Sequence, residues 1–306
     1  MHEPSRGLTK HDLGMIAVSV IWGANFSANK VALATVTPFT FSAVRFVMAS
    51  LVLAAVVHFL EPGTSLPGPA RWRLIGLGLI GNTAYQAAFM TGLVHTTAIN
   101  ASLIMAALPV VVAGLATGLG IERPTRRLWW GISVATLGVV LVVLAKGGQA
   151  RFSAATVEGD LLVLTATCCW ALFTVGVRRV GAGMSPLRVT ALTTYAGTPG
   201  LVLAALGERH RIPLTAWPVQ VWLALLFSAI FAIVVAYVLW SYAVQGLGGS
   251  RTAVYHCVIP IVAAAVAWVV LGEAPRPAQG VGAALVLVGV LMSQGVLRLP
   301  TPPRVV

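Results

Sequence analysis

The chain has 306 residues, 58% of them hydrophobic and 9% charged, against about 45–50% and about 25% in soluble domains. A soluble fold is excluded. The mean hydropathy of +0.90, with 31 Gly and 17 Pro scattered through apolar runs, also excludes collagen-like and disordered chains. A formal charge of +12 would suggest nucleic acid in a soluble chain, but here the basic residues lie mostly in short connections between apolar segments. That is the arrangement that orients a membrane protein. Cys168, Cys169 and Cys257 lie inside apolar stretches and imply neither a disulfide framework nor a metal site.

A hydrocarbon core about 30 Å thick takes roughly 20 apolar residues per helix. Ten such runs are expected, near 13–33, 39–60, 74–93, 97–119, 128–145, 160–180, 187–206, 219–243, 251–271 and 278–297. Stretches such as 137–145 and 261–271 are apolar on every face, so the fold class is an all-α membrane protein rather than an alternating β-barrel. A secretory signal in the first span is the competing reading. It is disfavoured because that segment has a counterpart in mid-chain.

In chain order, the first span places Trp22, Asn25 and Asn29 within about 60° of arc, an indole and two amides on one face. Amides donate and accept, which suits a zwitterion, although they also serve as glue between helices. Lys30 lies nearer the far end of that span. Arg45 sits about two turns inside the second span and reads as structural, snorkelling or bonding exposed carbonyls. Asn82, Tyr85 and Phe89 share a face of the third span. Pro109 marks the fourth, with Asn100 and Ser102 near its start.

The sixth span carries Trp170, Phe173 and Val177 on one face, and the eighth carries Tyr237 and Trp240. In the ninth, Tyr255 and His256 precede Pro260. Aromatic faces stack on substrates and attract an ammonium. Pro109 and Pro260 read as paired helix kinks suited to gating. The fifth and tenth spans carry Gly131 and Gly138, and Gly282 and Gly289, small positions that let two backbones approach. Trp72, Trp129, Trp130, Trp217 and Trp222 read as interfacial belt residues.

The sequence repeats. Trp22 matches Trp170 and Pro38 matches Pro186 at an offset of 148, whereas Pro109 and Pro260, Glu122 and Glu273, Gly131 and Gly282, and Gly138 and Gly289 match at 151. Two units of five spans follow, 1–148 and 149–306. Because five is odd, the units enter the membrane oppositely, which is the inverted-repeat geometry of a transporter. With the N-terminus in the cytoplasm, 13 of the 20 Lys and Arg fall on that side and six on the other, Arg45 being within a span. Both termini are therefore expected to be cytoplasmic.

The ten spans, the doubling, the stretch Trp22-Gly23-Ala24-Asn25-Phe26, the pair Arg45-Phe46 and the Gly-Glu-x-Pro turn at 272–275 closely resemble EamA-type carriers of the drug/metabolite transporter superfamily. The first copy of the turn departs from the pattern, reading Gly120-Ile121-Glu122-Arg123-Pro124. The likeness extends to YddG-type exporters of aromatic and other neutral amino acids. It implies a secondary exporter working by alternating access in a bacterial inner membrane, with an amino-acid substrate, the lipid bilayer as partner, and no cofactor, metal or nucleic acid. The oligomeric state is left open, a monomer being compatible with the pattern.

Drug, nucleotide-sugar and sugar-phosphate carriers of the same superfamily are the alternatives. Only Arg45 and Lys30 lie within spans to meet a phosphate, and no Asp or Glu lies mid-span for a cationic drug. An intramembrane enzyme would need a clustered catalytic constellation, whereas the six His are dispersed. His256 is the one titratable group expected on the pathway, as a proton carrier or a plain hydrogen-bonding group.

Overall fold

The computed structural model describes residues 8–62, 68–96, 101, 104–145, 156–181, 183–208, 213–271 and 277–297, and all regular structure among them is helical. In chain order the helices are α1 (Lys10–Leu33), α2 (Pro38–Leu60), α3 (Gly68–Gly78, Leu79–Ala84 and Tyr85–His95), α4 (Leu108–Gly118) and α5 (Arg126–Ala145). They continue as α6 (Val157–Val180), α7 (Pro186–Leu206), α8 (Val219–Phe227, Ser228–Val235 and Ala236–Leu247), α9 (Gly249–Val254, Tyr255–Val258 and Ile259–Leu271) and α10 (Pro277–Gln294). Among the described residues eight helices are long and apolar enough to cross a membrane, and α4 is a shorter apolar helix. α3, which carries Asn82, Tyr85 and Gln86 in its middle, is not in that set.

Residues related by the sequence offsets meet in space. Ser50 and Thr198, 148 apart, share a hydrogen bond of 2.9 Å where α2 crosses α7. α5 and α10 pack along their glycines: a Cβ on Gly131 would lie 2.7 Å from the Gly289 carbonyl oxygen, and one on Gly138 would lie 2.6 Å from that of Gly282. Only glycine permits so close an approach of two backbones. The chain thus folds about a local two-fold axis running between α2 and α7 and between α5 and α10.

The helix starts obey the same symmetry. α2 and α7 each begin with proline after a hydroxyl residue, Thr37-Pro38 and Ser185-Pro186; proline suits the first turn because its missing N–H has no partner there in any helix. Each start is then held by a carboxylate from just beyond the other helix. Glu208 accepts from the N–H groups of Phe39 (2.9 Å) and Thr40 (2.8 Å) and from the hydroxyls of Thr37 and Thr40. Glu61 accepts from the Ser185 hydroxyl (2.7 Å) and from Arg188 Nε (2.8 Å). A carboxylate at a helix N-terminus also meets the positive end of the dipole.

Burial pushes the Glu208 carboxyl up, but the hydrogen bonds from Thr37, Thr40 and Phe39 outweigh it and hold the group below the usual carboxylate range. A depressed folded-state value stabilises the fold above the ordinary carboxylate pKa, and that contribution is lost as pH falls through the lowered one. Glu208→Gln should therefore melt below the native protein at pH 7. The gap should close as the pH is taken below the carboxylate range, which thermal unfolding in detergent at stepped pH measures.

Two further features are paired. α3 and α8 each contain a π-helical stretch, at Leu79–Ala84 and Ser228–Val235, again about 151 apart; such stretches recur at functional sites because they rephase the side chains that follow. α7 packs on the first and α2 on the second. Pro109 and Pro260 correct the sequence expectation of mid-helix kinks. Each is the second residue of a new helical segment, after a turn at 106–107 and a 3-10 stretch at Tyr255–Val258. Each opens an α-helical segment within its span, a position where proline breaks no α-helical hydrogen bond.

Candidate functional site

The central cavity lies on the local axis, where the equivalent residues Trp22 and Trp170 meet edge to face with ring centroids 5.7 Å apart. About 100 Å³ of it is open to the centre of a water molecule, room for several waters or a small solute. Trp22 Nε1 donates to the Ala232 carbonyl (2.9 Å) in the π stretch of α8, which fixes the indole across the axis. Tyr85 stacks on Phe89 at 5.8 Å and meets Trp170 at 5.1 Å, while Tyr237 lies 6.0 Å from Trp22. His256 presents its ring to Trp22 at 6.1 Å.

Of the residues singled out in the sequence, Trp22, Asn25, Asn29, Tyr85, Phe89, Trp170, Tyr237 and His256 line this cavity. Four others lie behind the wall. Asn82 is buried and donates Nδ2 to the Thr193 carbonyl (2.8 Å), locking α3 to α7. Phe173 packs its ring on Gly81 and on Trp170. Trp240, wholly buried, backs Trp22 at 5.3 Å and Trp170 at 5.6 Å. Tyr255 turns its hydroxyl to Asp12 Oδ1 (2.8 Å) at the end of the bundle where α1 begins and α10 ends.

Asn100, Ser102 and the side chain of Lys30 lie outside the described residues. Trp217, read as an interfacial residue, is buried in a cluster with Phe41 and Val221.

Seven lining residues went unnoticed or were read otherwise. Arg45 is 3% exposed yet lines the cavity, with Nη1 donating to Asn29 Oδ1 (3.3 Å) and Ser228 Oγ (3.1 Å). Its guanidinium lies 5.4 Å from the Phe41 ring and 5.8 Å from that of Phe46. Gln86, Met90, Met105, Ala232, Ile233 and Ile259 complete the wall. At the end of the bundle where α1 begins and α10 ends, the Asp12–Tyr255 bond is joined by Glu122 accepting from the N–H groups of Gly249 (2.5 Å) and Ser250 (3.1 Å), and by Arg178 donating to the Gln245 carbonyl.

Two stretches, residues 9–144 and 157–294, each match the EamA-like transporter family. The chain belongs to that family. The double match makes it a tandem of two EamA units, and with its apolar helices it is a multi-pass membrane transporter. It is 31% identical over 288 residues to the uncharacterized transporter YyaM of Bacillus subtilis (strain 168), covering 94% of each chain. It is 32% identical over 289 residues to a probable terminal-alkyne amino-acid exporter of Streptantibioticus cattleyicolor, covering 93% of each. An S-adenosylmethionine/S-adenosylhomocysteine transporter of Chlamydia trachomatis serovar L2 is 24% identical, with 84% of this chain and 80% of that one aligned. A solved crystal structure superposes with a TM-score of 0.77 over 94% of this chain and 97% of the other at 21% identity, a likeness of fold. EamA units thus account for α1–α5 and α6–α10, and the cavity lies between them.

Proposed function

We propose that this protein is a secondary transporter that exports neutral or aromatic amino acids across a bacterial inner membrane by alternating access. In this reading the chain spans the membrane ten times as two inverted repeats of five, 1–148 and 149–306, with both termini cytoplasmic. The observation that carries it is the meeting of the equivalent Trp22 and Trp170 at a small aromatic cavity on the local two-fold axis. Two halves related by such an axis can exchange conformations, and the exchange turns the cavity from one side to the other.

The amino-acid cargo is supported by the aromatic and amide lining and by the relative named as a probable terminal-alkyne amino-acid exporter. A sugar phosphate would call for several cations, and among the described lining residues Arg45 is the one permanent cation. The test is counterflow: proteoliposomes preloaded with unlabelled L-phenylalanine should accumulate the labelled compound, and vesicles loaded with buffer should not. Equal uptake with and without preloading contradicts a carrier.

A further inference from the structure

Arg45 Nε, Asn25 Oδ1 and Gln86 Oε1 are buried without a hydrogen-bond partner among the described residues, and all three side chains line the central cavity. Buried polar groups in native proteins are nearly all paired, so orphaned atoms that converge on one cavity mark positions a ligand fills. The set has two signs. Arg45 is a permanent cation with donors only. It is held in place by Asn29, Ser228 and two phenylalanine rings, with no carboxylate within ion-pair distance among the described residues. Asn25 and Gln86 offer amide oxygens, which only accept.

These three residues belong to α1, α2 and α3 of the first repeat. Their counterparts at offsets of 148 and 151 are Phe173 for Asn25, Thr193 for Arg45 and Tyr237 for Gln86, none of them charged or an amide. The second repeat contributes Trp170, whose Nε1 is likewise unpaired among the described residues, with Ala232, Ile233, Tyr237, His256 and Ile259, mostly rings and aliphatic groups. The cation and the amides are thus on one side, and a ligand that satisfies them has a carboxylate, an ammonium and an apolar group pointing away from both.

We propose that the cavity holds its cargo in one fixed orientation, the carboxylate on Arg45, the ammonium on the amide oxygens of Asn25 and Gln86, and the side chain toward the second repeat. This rests on the carrier reading above and adds that both charged groups are required. A carboxylate alone leaves the amide oxygens unpaired, and an amine alone leaves Arg45 uncompensated, which is the costlier failure. The Trp22 and Trp170 faces add cation–π attraction for the ammonium.

The experiment compares counterflow of L-phenylalanine, 3-phenylpropionate, which lacks the amine, and 2-phenylethylamine, which lacks the carboxylate. The native protein should move L-phenylalanine at least about tenfold faster than either analogue. Gln86→Leu should raise the 3-phenylpropionate to L-phenylalanine ratio about tenfold, because the orphaned acceptor is gone. Arg45→Gln should lower L-phenylalanine flux about tenfold or more, with the 2-phenylethylamine ratio rising. Should Arg45→Gln fail to fold, the Gln86→Leu ratio and the native three-compound comparison still decide. Comparable native flux of all three compounds, or a ratio that Gln86→Leu leaves unchanged, overturns the fixed orientation while leaving a carrier in place. No native counterflow of any of them overturns the carrier reading and the orientation with it.

Discussion

Counterflow of L-phenylalanine should fall at least about tenfold in Trp22→Ala and in Trp170→Ala, while the purified variants elute as single peaks. Trp22 does three things at the axis: it donates to the Ala232 carbonyl (2.9 Å), meets Trp170 at 5.7 Å and rests on Trp240 at 5.3 Å. A hydrogen bond is worth about 1 kcal/mol net and an aromatic pair about 0.5–1.5 kcal/mol beyond its area. A tenfold rate change needs about 1.4 kcal/mol, so losing both contacts from the site suffices. Trp22→Phe keeps a ring and loses the donor, and should fall between the native protein and Trp22→Ala. Unchanged flux in both alanine variants would move the pathway away from this cavity.

A leucine at Gly138 should sharply lower the yield of folded protein and its melting temperature, and so should one at Gly282. The Cβ at Gly138 would sit 2.6 Å from the Gly282 carbonyl oxygen, and the one at Gly282 would sit 2.7 Å from that of Gly138. These are backbone atoms that no rotamer can move. Overpacking of this kind costs about 1–3 kcal/mol or more, and here α5 and α10 would have to separate along their length. Gly114→Leu is the control, since a Cβ on Gly114 meets nothing within 4 Å. Equal melting temperatures for all three would show that the glycine seam does not hold the halves together.

Face-sharing arithmetic found Trp22, Asn25 and Asn29 because α1 is a regular helix, where residues three and four apart stack on one side. The same arithmetic misplaced Asn82. The π stretch at Leu79–Ala84 changes the phase of α3 just before Tyr85, so Asn82 turns to α7 while Tyr85 and its neighbour Gln86 both reach the cavity. No periodicity in the sequence announces that rephasing. The 3-10 stretch in α9 likewise separates Tyr255, which bonds Asp12, from His256, which faces Trp22.

Arg45 was legible as deeply placed, but depth alone does not distinguish a snorkelling cation from one on a cavity wall. Its partners are Asn29, 16 positions earlier in α1, and Ser228, 183 positions later in α8. The pairing of α5 with α10 was readable from the glycine spacing, because the small residues have no other use there. The reciprocal carboxylate clasps of Glu61 and Glu208 were not, because each links residues more than 100 positions apart.

Alternating access is tested most directly by one cysteine in the cavity wall, Phe89→Cys, with Cys168, Cys169 and Cys257 replaced. A membrane-impermeant maleimide is applied to one face at a time of sealed, oriented vesicles. Phe89 lines the cavity on the local axis, so a carrier that turns between its two sides should be labelled from both faces, at rates that L-phenylalanine changes. Labelling from one face only, whatever the L-phenylalanine concentration, would contradict alternating access.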